Sequence, residues 1–195
     1  MAPLTPLGKL GQITQGVTLS RHASKKGSTY RVIASKDLEN LYVKEAQETV
    51  QLVTSEQIEK CQLREGDVVI VIRGAVLKAS VVTAAMKGSL SNQNTVFFRP
   101  NSENIEPLYL AVLLRSSYFK PLLASELQRS STTLAAISVS KVRTLEIPLP
   151  NLNTQKEIAE LFLDAAEFRQ VMLSKIDARQ NIVEFSLLQA LETKI

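Results

Sequence analysis

The sequence has few of the residues that most often build catalytic or metal sites. Its 195 residues contain one cysteine, Cys61, and one histidine, His22. A single cysteine excludes an internal disulfide and a zinc site made of several cysteines, so we expect Cys61 to be an inert, partly buried thiol in a reducing compartment. His22 has no nearby carboxylate to orient it, which argues against a histidine-based catalytic group.

Several enzyme motifs are also missing. The sequence contains no glycine-rich phosphate loop, no G-x-G-x-x-G fingerprint, no Asn-Pro-Pro-Tyr motif and no carboxylate cluster of the kind found in nuclease metal sites. We therefore expect a non-catalytic protein with no metal and no cofactor of its own. Asp67 lies between a glycine and an apolar run, where a lone carboxylate is expected to cap a turn.

Long hydrophobic segments are absent as well. No apolar stretch approaches the roughly eighteen residues of a membrane span, and the N-terminus lacks the basic run and apolar core of a signal peptide. These absences predict a cytoplasmic protein without a membrane association. Tryptophan is absent, so the core of the fold must be built mainly from Leu, Ile, Val and Ala.

Glycine and proline are absent from residues 154–195, and this segment opens with a helix-start pattern. Thr154 and Glu157 have the spacing of a capping box, and Pro148 and Pro150 block a helix just upstream. Apolar residues then recur every three or four positions, which predicts a helix roughly 60 Å long if it is unbroken. This stripe consists of Ile158, Leu161, Phe162, Ala165, Phe168, Met172, Ile176, Val183, Leu187 and Leu191.

Two interpretations of this segment stay open. The helix could break near residues 177–181, where Arg179 and Gln180 interrupt the apolar pattern, and fold back as two shorter helices. Alternatively, the helix is continuous and its stripe pairs with a second long helix as a loosely supercoiled coiled coil, because the repeat drifts from seven towards eleven residues. The second interpretation predicts oligomerisation.

Charge divides the chain into a basic part and an acidic part. Residues 1–150 hold 18 Lys and Arg against 12 Asp and Glu, whereas residues 151–195 hold 5 against 7. This distribution is typical of a globule that meets a polyanion and a helix that meets protein. We predict two domains with these boundaries, in an α+β fold: a mixed α/β globule followed by a long C-terminal helix.

The order of elements predicted for the globule supports this fold class. Strands are expected at residues 30–34, 50–53, 68–72, 76–84, 95–98 and 145–147, with a short helix from Thr54 or Ser55 and a longer one opened by Pro107. Residues 20–29 (SRHASKKGST) are expected to form a polar, basic loop. The β-branched run at 68–72 suits a strand that is covered on both faces.

Several of these segments, taken in order, carry a family resemblance. They are residues 63–70 (LREGDVVI) followed by Arg73 and Gly74, residues 107–116 (PLYLAVLLRS), and residues 147–150 (IPLP) with Gln155 and Ile158 in the next helix. Residues 7–16 and 30–38 fit as well. Together they resemble the specificity (S) subunit of type I restriction-modification systems over nearly the whole chain.

The resemblance implies a target recognition domain that reads double-stranded DNA. It also implies a helix that packs against a partner helix and against methyltransferase (M) subunits, possibly with a restriction (R) subunit in the complex. Full-length members carry two domain-plus-helix units, and this sequence has one. It is therefore expected to be either a half-length subunit that forms a homodimer or a fragment of a longer protein.

The residues expected to contact DNA follow from the donors that phosphates and base edges require. The first group is Arg21, His22, Ser24, Lys25 and Lys26, for which a merely solvated loop is the alternative. The second is Lys78, Lys87, Gln93 and Asn94, of which the last two could equally be turn residues. The third is Arg129, Ser130, Ser131 and Thr132. For Arg73, a structural ion pair is at least as well supported as a DNA contact.

Two other functions compete with DNA recognition. One is a coiled-coil scaffold whose globule binds protein and no nucleic acid, which salt-dependent duplex binding would distinguish. The other is the substrate domain of a methyltransferase, which would require a cofactor domain for which the chain has no room.

Overall fold

The structure is a computed structural model that describes residues 2–73, 78–101, 103–119, 121 and 136–192. The chain divides into two compact units, Met1–Glu157 and Ile158–Ile195, whereas the sequence placed the domain boundary at residue 150. The first unit mixes helices and strands, and the second consists of the greater part of one long helix. The predicted α+β fold class is confirmed.

The largest sheet of the first unit has five strands, and its centre is the β-branched run that the sequence marked as buried. Its spatial order is β2 (Gly11–Gln15), β9 (Thr95–Pro100), β6 (Val68–Val71), β7 (Ala79–Val82) and β4 (Tyr42–Val43). All neighbours are antiparallel except β4 and β7. Every residue of β6 is buried, as the unbroken Val/Ile run predicts for a strand covered on both faces.

Two smaller sheets lie in the described part of the first unit. The three-stranded sheet has the order β5 (Thr49–Leu52), β3 (Ala23–Ile33) and β8 (Leu90–Ser91), with β8 parallel to β3. The two-stranded sheet pairs β1 (Leu4–Pro6) with β10 (Glu146–Pro148), which brings the two ends of this unit together. Contact between segments this distant in sequence cannot be inferred from local periodicity.

The short helices begin where the sequence provides a cap or a proline. Those that lie wholly within the described residues are α1 (Leu7–Leu10), α2 (Glu56–Lys60), α3 (Pro107–Arg115) and α4 (Val139–Thr144). Ser55 Oγ accepts the Ile58 N–H at 3.3 Å and Ser138 Oγ accepts the Lys141 N–H at 3.2 Å. Each hydroxyl thus satisfies an N–H group left free in the first helical turn. Three single 3₁₀ turns, Leu19–Arg21, Ser35–Asp37 and Ala84–Met86, join the strands.

The last helix, α5 (Leu152–Glu192), starts earlier than predicted and does not break. Asn151 Oδ1 accepts the Thr154 N–H at 3.0 Å, so Asn151 is the N-cap. The predicted Thr154–Glu157 capping box is wrong, because Thr154 is already in the helix. The predicted alternative of a break at residues 177–181 is also wrong, since all 41 residues from Leu152 are helical, a length of about 62 Å.

Two apolar clusters lie among the described residues of the first unit. The larger packs Val69 and Val71, on one face of β6, against Phe97 of β9. It also contains Ile33, Leu38 and Met86. The smaller lies between β3, β5, α2 and β8 around Leu52, Ile58 and Leu90. The smaller cluster supports the surface on which the predicted basic segment lies. The half-buried Cys61 packs against it, and burial raises the pKa of its thiol while Arg99 opposes that shift.

A buried ion pair links the turn before β6 to β9. Asp67 is buried, and its carboxylate accepts the Arg99 Nε–H at 2.9 Å and the Arg99 Nη2–H at 2.7 Å. The same carboxylate accepts the Arg64 N–H at 2.8 Å, which confirms its predicted turn-capping role. The guanidinium also donates to the Gln62 carbonyl and stacks over the Phe97 ring, so Asp67 has a partner that the sequence did not reveal.

Candidate nucleic-acid interface

The first predicted group of DNA-binding residues lies on a strand, and the predicted loop at residues 20–29 is wrong. Arg21 ends a 3₁₀ turn, and Ser24, Lys25 and Lys26 belong to β3. The strand carries a large irregularity, because Ala23 and Ser28 both lie opposite Leu52. Residues 24–27 are therefore an insertion on the β3 side of the β3–β5 pairing, and we call them the basic bulge. Sequence patterns hide such a feature, because a bulge interrupts the alternation of polar and apolar residues.

Hydrogen bonds anchor the basic bulge at both of its ends. The His22 carbonyl accepts the Val53 N–H at 3.0 Å, and Ser28 and Tyr30 share the Thr54 hydroxyl at 2.9 and 3.3 Å. Inside the bulge, a Cβ added to Gly27 would lie 2.1 Å from the Leu52 carbonyl oxygen. Only glycine permits this close approach of two strands, so the glycine of the predicted loop shapes the bulge.

The basic bulge and its preceding turn present uncompensated positive charge. Arg21, Lys25 and Lys26 are exposed, and none of them forms an ion pair with another described residue. Ion pairs do occur elsewhere in the first unit, for example between Lys36 and Glu48. A cluster of free cations on an anchored strand is well suited to phosphate contacts.

Arg31, further along β3, is a basic residue that the sequence analysis did not single out. Its Nη2 donates to the Ala85 carbonyl at 2.7 Å. This carbonyl lies in the turn that Lys87 follows, and Lys87 itself is exposed. The contact places the predicted residue Lys87 near β3. Arg31 gave no separate signal because it lies inside a predicted strand, where exposed side chains are expected to alternate with buried ones.

Lys78, the other positively charged residue of the second group, already has an acidic partner. It forms an ion pair with Glu39, and this bond lowers the pKa of the Glu39 carboxyl below its ordinary value, helped by the charge of Lys78. Nearby, Arg115 donates to the Asn40 and Ala79 carbonyls at 2.8 and 3.2 Å. Lys78 thus belongs to a network that ties the loop before β4 to β7, and its DNA contact stays a prediction.

Gln93 and Asn94 lie in a turn at one end of the five-stranded sheet. We call residues 92–94 the amide turn. Asn94 accepts the Ile72 N–H through its carbonyl at 3.0 Å, and the Gln93 carbonyl accepts the Gln15 Nε2–H at 3.3 Å. The sequence left a turn and a DNA contact as alternatives for these two residues. The structure places both in a turn, and this is compatible with a contact through their side chains.

Two other predictions concern this end of the sheet. Arg73 is exposed beyond the end of β6, and no ion pair joins it to any other residue in the described ranges, so the predicted structural ion pair is not found there. The third predicted group, Arg129, Ser130, Ser131 and Thr132, lies outside the described residues.

The described part of the chain has no clustered metal ligands and no membrane-spanning helix. No group of three or more His, Cys, Asp or Glu side chains is placed there to hold a metal ion. Among the same residues, no helix is both long enough and apolar enough to cross a lipid bilayer.

The predicted oligomerisation stripe is exposed along the whole of α5. All ten of its residues are exposed, with 69% exposure at Leu161 and 68% at Phe168. Exposed apolar surface of this extent on one side of a helix is typical of an interaction site. The pairing of this stripe with another helix stays a prediction.

The C-terminal half of α5 has a second apolar face that the sequence analysis missed. Val171, Ala178 and Phe185 are seven residues apart, with Ile182 beside them, and all four are exposed. Seven residues are close to two helical turns, so these side chains share a face. They lie on the side opposite the first stripe. The heptad spacing was a usable signal, but the longer stripe concealed it.

An α+β unit with an anchored basic surface, followed by a long helix with exposed apolar faces, has the features of a binding protein. Residues 5–169 match the family described as the type I restriction modification DNA specificity domain. The chain belongs to this family. Family membership favours a specificity subunit over the scaffold that binds only proteins.

Individual relatives agree with this assignment. A putative type I restriction enzyme MjaX specificity subunit of Methanocaldococcus jannaschii is 30% identical over 118 residues, which are 59% of this chain and 28% of that protein. The HsdS subunit of Thermoanaerobacter tengcongensis has a similar fold, with a TM-score of 0.63 at 20% identity over 87% of this chain and 44% of its own. The chain thus spans less than half the length of these relatives.

Two further solved structures share the fold. One, from work on complex assembly and conformational transition of the type I R-M system, matches with a TM-score of 0.60 at 21% identity, over 91% of this chain and 41% of its own. The type I S subunit of M. genitalium matches with a TM-score of 0.51 at 15% identity, over 83% and 38%.

Proposed function

We propose that this chain is a sequence-specific DNA-binding unit of a type I restriction-modification system. The observation that carries the proposal is the basic bulge with its preceding turn. There, Arg21, Lys25 and Lys26 are three exposed cations without an ion pair to any described residue, on or beside an anchored strand in a chain of the specificity-domain family. Cations of this kind bind DNA phosphates and release the counterions that surround the duplex.

In this proposal the chain is a non-catalytic adaptor. Methyl transfer is performed by methyltransferase subunits, and cleavage by a restriction subunit where the system has one. The chain supplies the contacts that position these subunits on a target sequence. Because the substrate is cellular DNA, the site of action is the cytoplasm.

The two apolar faces of α5 suit two kinds of partner. A second copy of this chain carries the same stripe from Ile158 to Leu191, so pairing stripe to stripe buries both at once and gives a homodimer. The second face, around Val171 and Phe185, remains available in that dimer for a helix of a methyltransferase subunit. A helix that is apolar on opposite sides needs partners on both sides before its apolar surface is buried.

The test is duplex binding by the purified full chain, followed by fluorescence anisotropy while the salt concentration rises from about 50 to 200 mM. We expect the affinity to fall steeply with salt. The double variant Lys25→Glu with Lys26→Glu should weaken binding to every sequence. The slope of log affinity against log salt concentration should also become less steep by about 1.8 per bound unit, because each of the two lost phosphate contacts contributes about 0.9.

The matched control is Lys36→Glu with Lys60→Glu. It changes the net charge by the same amount, but both lysines already pair with glutamates in the fold. This control should retain most of the affinity. A wild-type chain that binds no duplex at low salt, alone or with its methyltransferase subunit, would refute the proposed function. Equal effects of the two double variants would exclude the bulge from the DNA-binding surface.

A further inference from the structure

We propose that the amide turn, together with Gln15 beside it, reads base pairs and favours adenine, whereas the basic bulge contacts phosphates. This division of roles rests on the proposed function, because it assigns base recognition to a second segment of the same DNA-binding unit.

The backbone of the amide turn is fixed by hydrogen bonds on all sides. The Asn92 carbonyl accepts the Thr95 N–H at 3.0 Å and the Thr95 hydroxyl at 2.8 Å. Asn92 Oδ1 accepts the Asn94 N–H at 3.0 Å, and the Asn94 carbonyl accepts the Ile72 N–H at 3.0 Å. A turn held in this way presents its side chains from a fixed backbone, so only their rotamers remain to be ordered when a ligand binds.

The end of β2 packs directly against this turn. Val17 forms a parallel bridge with Asn92, and a Cβ added to Gly16 would lie 2.1 Å from the Asn92 carbonyl oxygen. Glycine is required for this approach. It brings the exposed Gln15 close enough to donate its Nε2–H to the Gln93 carbonyl at 3.3 Å, and the Gln15 Oε1 accepts no hydrogen bond from another described residue.

The side-chain amides of Gln93 and Asn94 are not used by the fold. Neither forms a hydrogen bond with another residue of the described part of the chain, and both side chains are half-buried rather than fully exposed. A carboxamide offers one acceptor and a donor group side by side, which matches the N6 donor and N7 acceptor of adenine in the major groove. The turn contains no lysine or arginine, which would bind phosphate or guanine instead.

In the experiment, the purified full chain selects preferred duplexes from a randomised library. The affinity of the chain is then measured for duplexes in which each base pair of the selected motif is replaced in turn. We expect the wild-type chain to select a motif with at least one required A·T pair. Gln93→Ala with Asn94→Ala should keep affinity for bulk duplex within about twofold and lose about 5- to 150-fold of the discrimination at that pair, the range of a good bidentate contact. Lys25→Ala with Lys26→Ala should weaken all sequences and keep the discrimination.

A second substitution keeps the size of the side chain and changes its hydrogen-bonding character. Gln93→Glu offers only acceptors, which suit the cytosine N4 donor and repel adenine N7, so we expect the favoured base pair to change. Unchanged selection by both Gln93 variants, with circular dichroism that matches the wild type, would overturn the assignment while leaving the proposed function intact. A wild-type chain that binds duplex with no sequence preference would overturn both.

Discussion

Replacing Arg99 by methionine tests the buried ion pair that joins the turn before β6 to β9. The substitution keeps an apolar stem against Phe97 but removes both hydrogen bonds to Asp67, whose side chain is only 1% exposed. Among the described residues, the carboxylate would then keep the Arg64 N–H as its one partner. Removing one member of a buried pair costs about 3 to 5 kcal/mol, because the other charge stays in a poorly solvated site.

This loss is large compared with the roughly 5 to 15 kcal/mol that stabilise a typical domain, so Arg99→Met should lower the urea midpoint strongly. Tyrosine fluorescence is a suitable probe. The chain has no tryptophan, and its four tyrosines all lie within Met1–Glu157, so the signal reports the globule and not α5.

The double variant Arg99→Met with Asp67→Leu separates charge burial from packing. It removes both charges and leaves the Arg64 N–H and the Gln62 carbonyl without these partners, at about 1 kcal/mol each. The double variant should therefore be more stable than Arg99→Met alone. An Arg99→Met loss below about 1 kcal/mol, or a double variant less stable than the single one, would refute the reasoning from charge burial.

Two further predictions concern assembly and pH. Light scattering of the wild-type chain should give a dimer mass that Phe162→Glu with Ile176→Glu converts to a monomer, whereas Phe185→Glu on the second face should leave the dimer intact; a monomeric wild-type chain would contradict pairing between copies. Glu39→Gln should lower the melting temperature at neutral pH. Because the pKa of Glu39 is lowered in the fold, the stability that its carboxylate contributes is fully present above pH 4.5, the ordinary pKa. This stability is lost as the pH falls through the lower pKa of the folded state. A difference in melting temperature between the wild type and Glu39→Gln that persists in stronger acid would refute the Lys78 pairing.

Local chemistry was enough to predict elements whose signals come from adjacent residues. The β-branched run of β6, the Ser55 cap of α2 and the proline that opens α3 all lie within a few positions of the feature they specify. The amphipathic stripe of α5 extends through 41 residues without glycine or proline, so the long helix was predictable as well. The residue at which this helix begins was not predictable, because Asn151 and Thr154 are both good caps and only the fold selects between them.

The proposed DNA-binding surface was predictable only in its residue types. The sequence identified a basic segment around Lys25 and an amide pair at Gln93 and Asn94, and it provided the family resemblance. It could not show that the basic segment is a bulge in β3, since pairing with β5 depends on residues some twenty-five positions away. Nor could it show that Lys78 already has a partner in Glu39.

The sequence by itself determined the fold class, the long helix with its apolar stripe, and the family, because each depends on a pattern that runs along the chain. Only the tertiary structure decided which polar groups are used internally and which remain available. Asp67 is neutralised by Arg99, and Gln15 is brought beside Gln93, through contacts between residues 32 and 78 positions apart. Such pairings depend on how strands stack in space, and strand order is not written in any local segment.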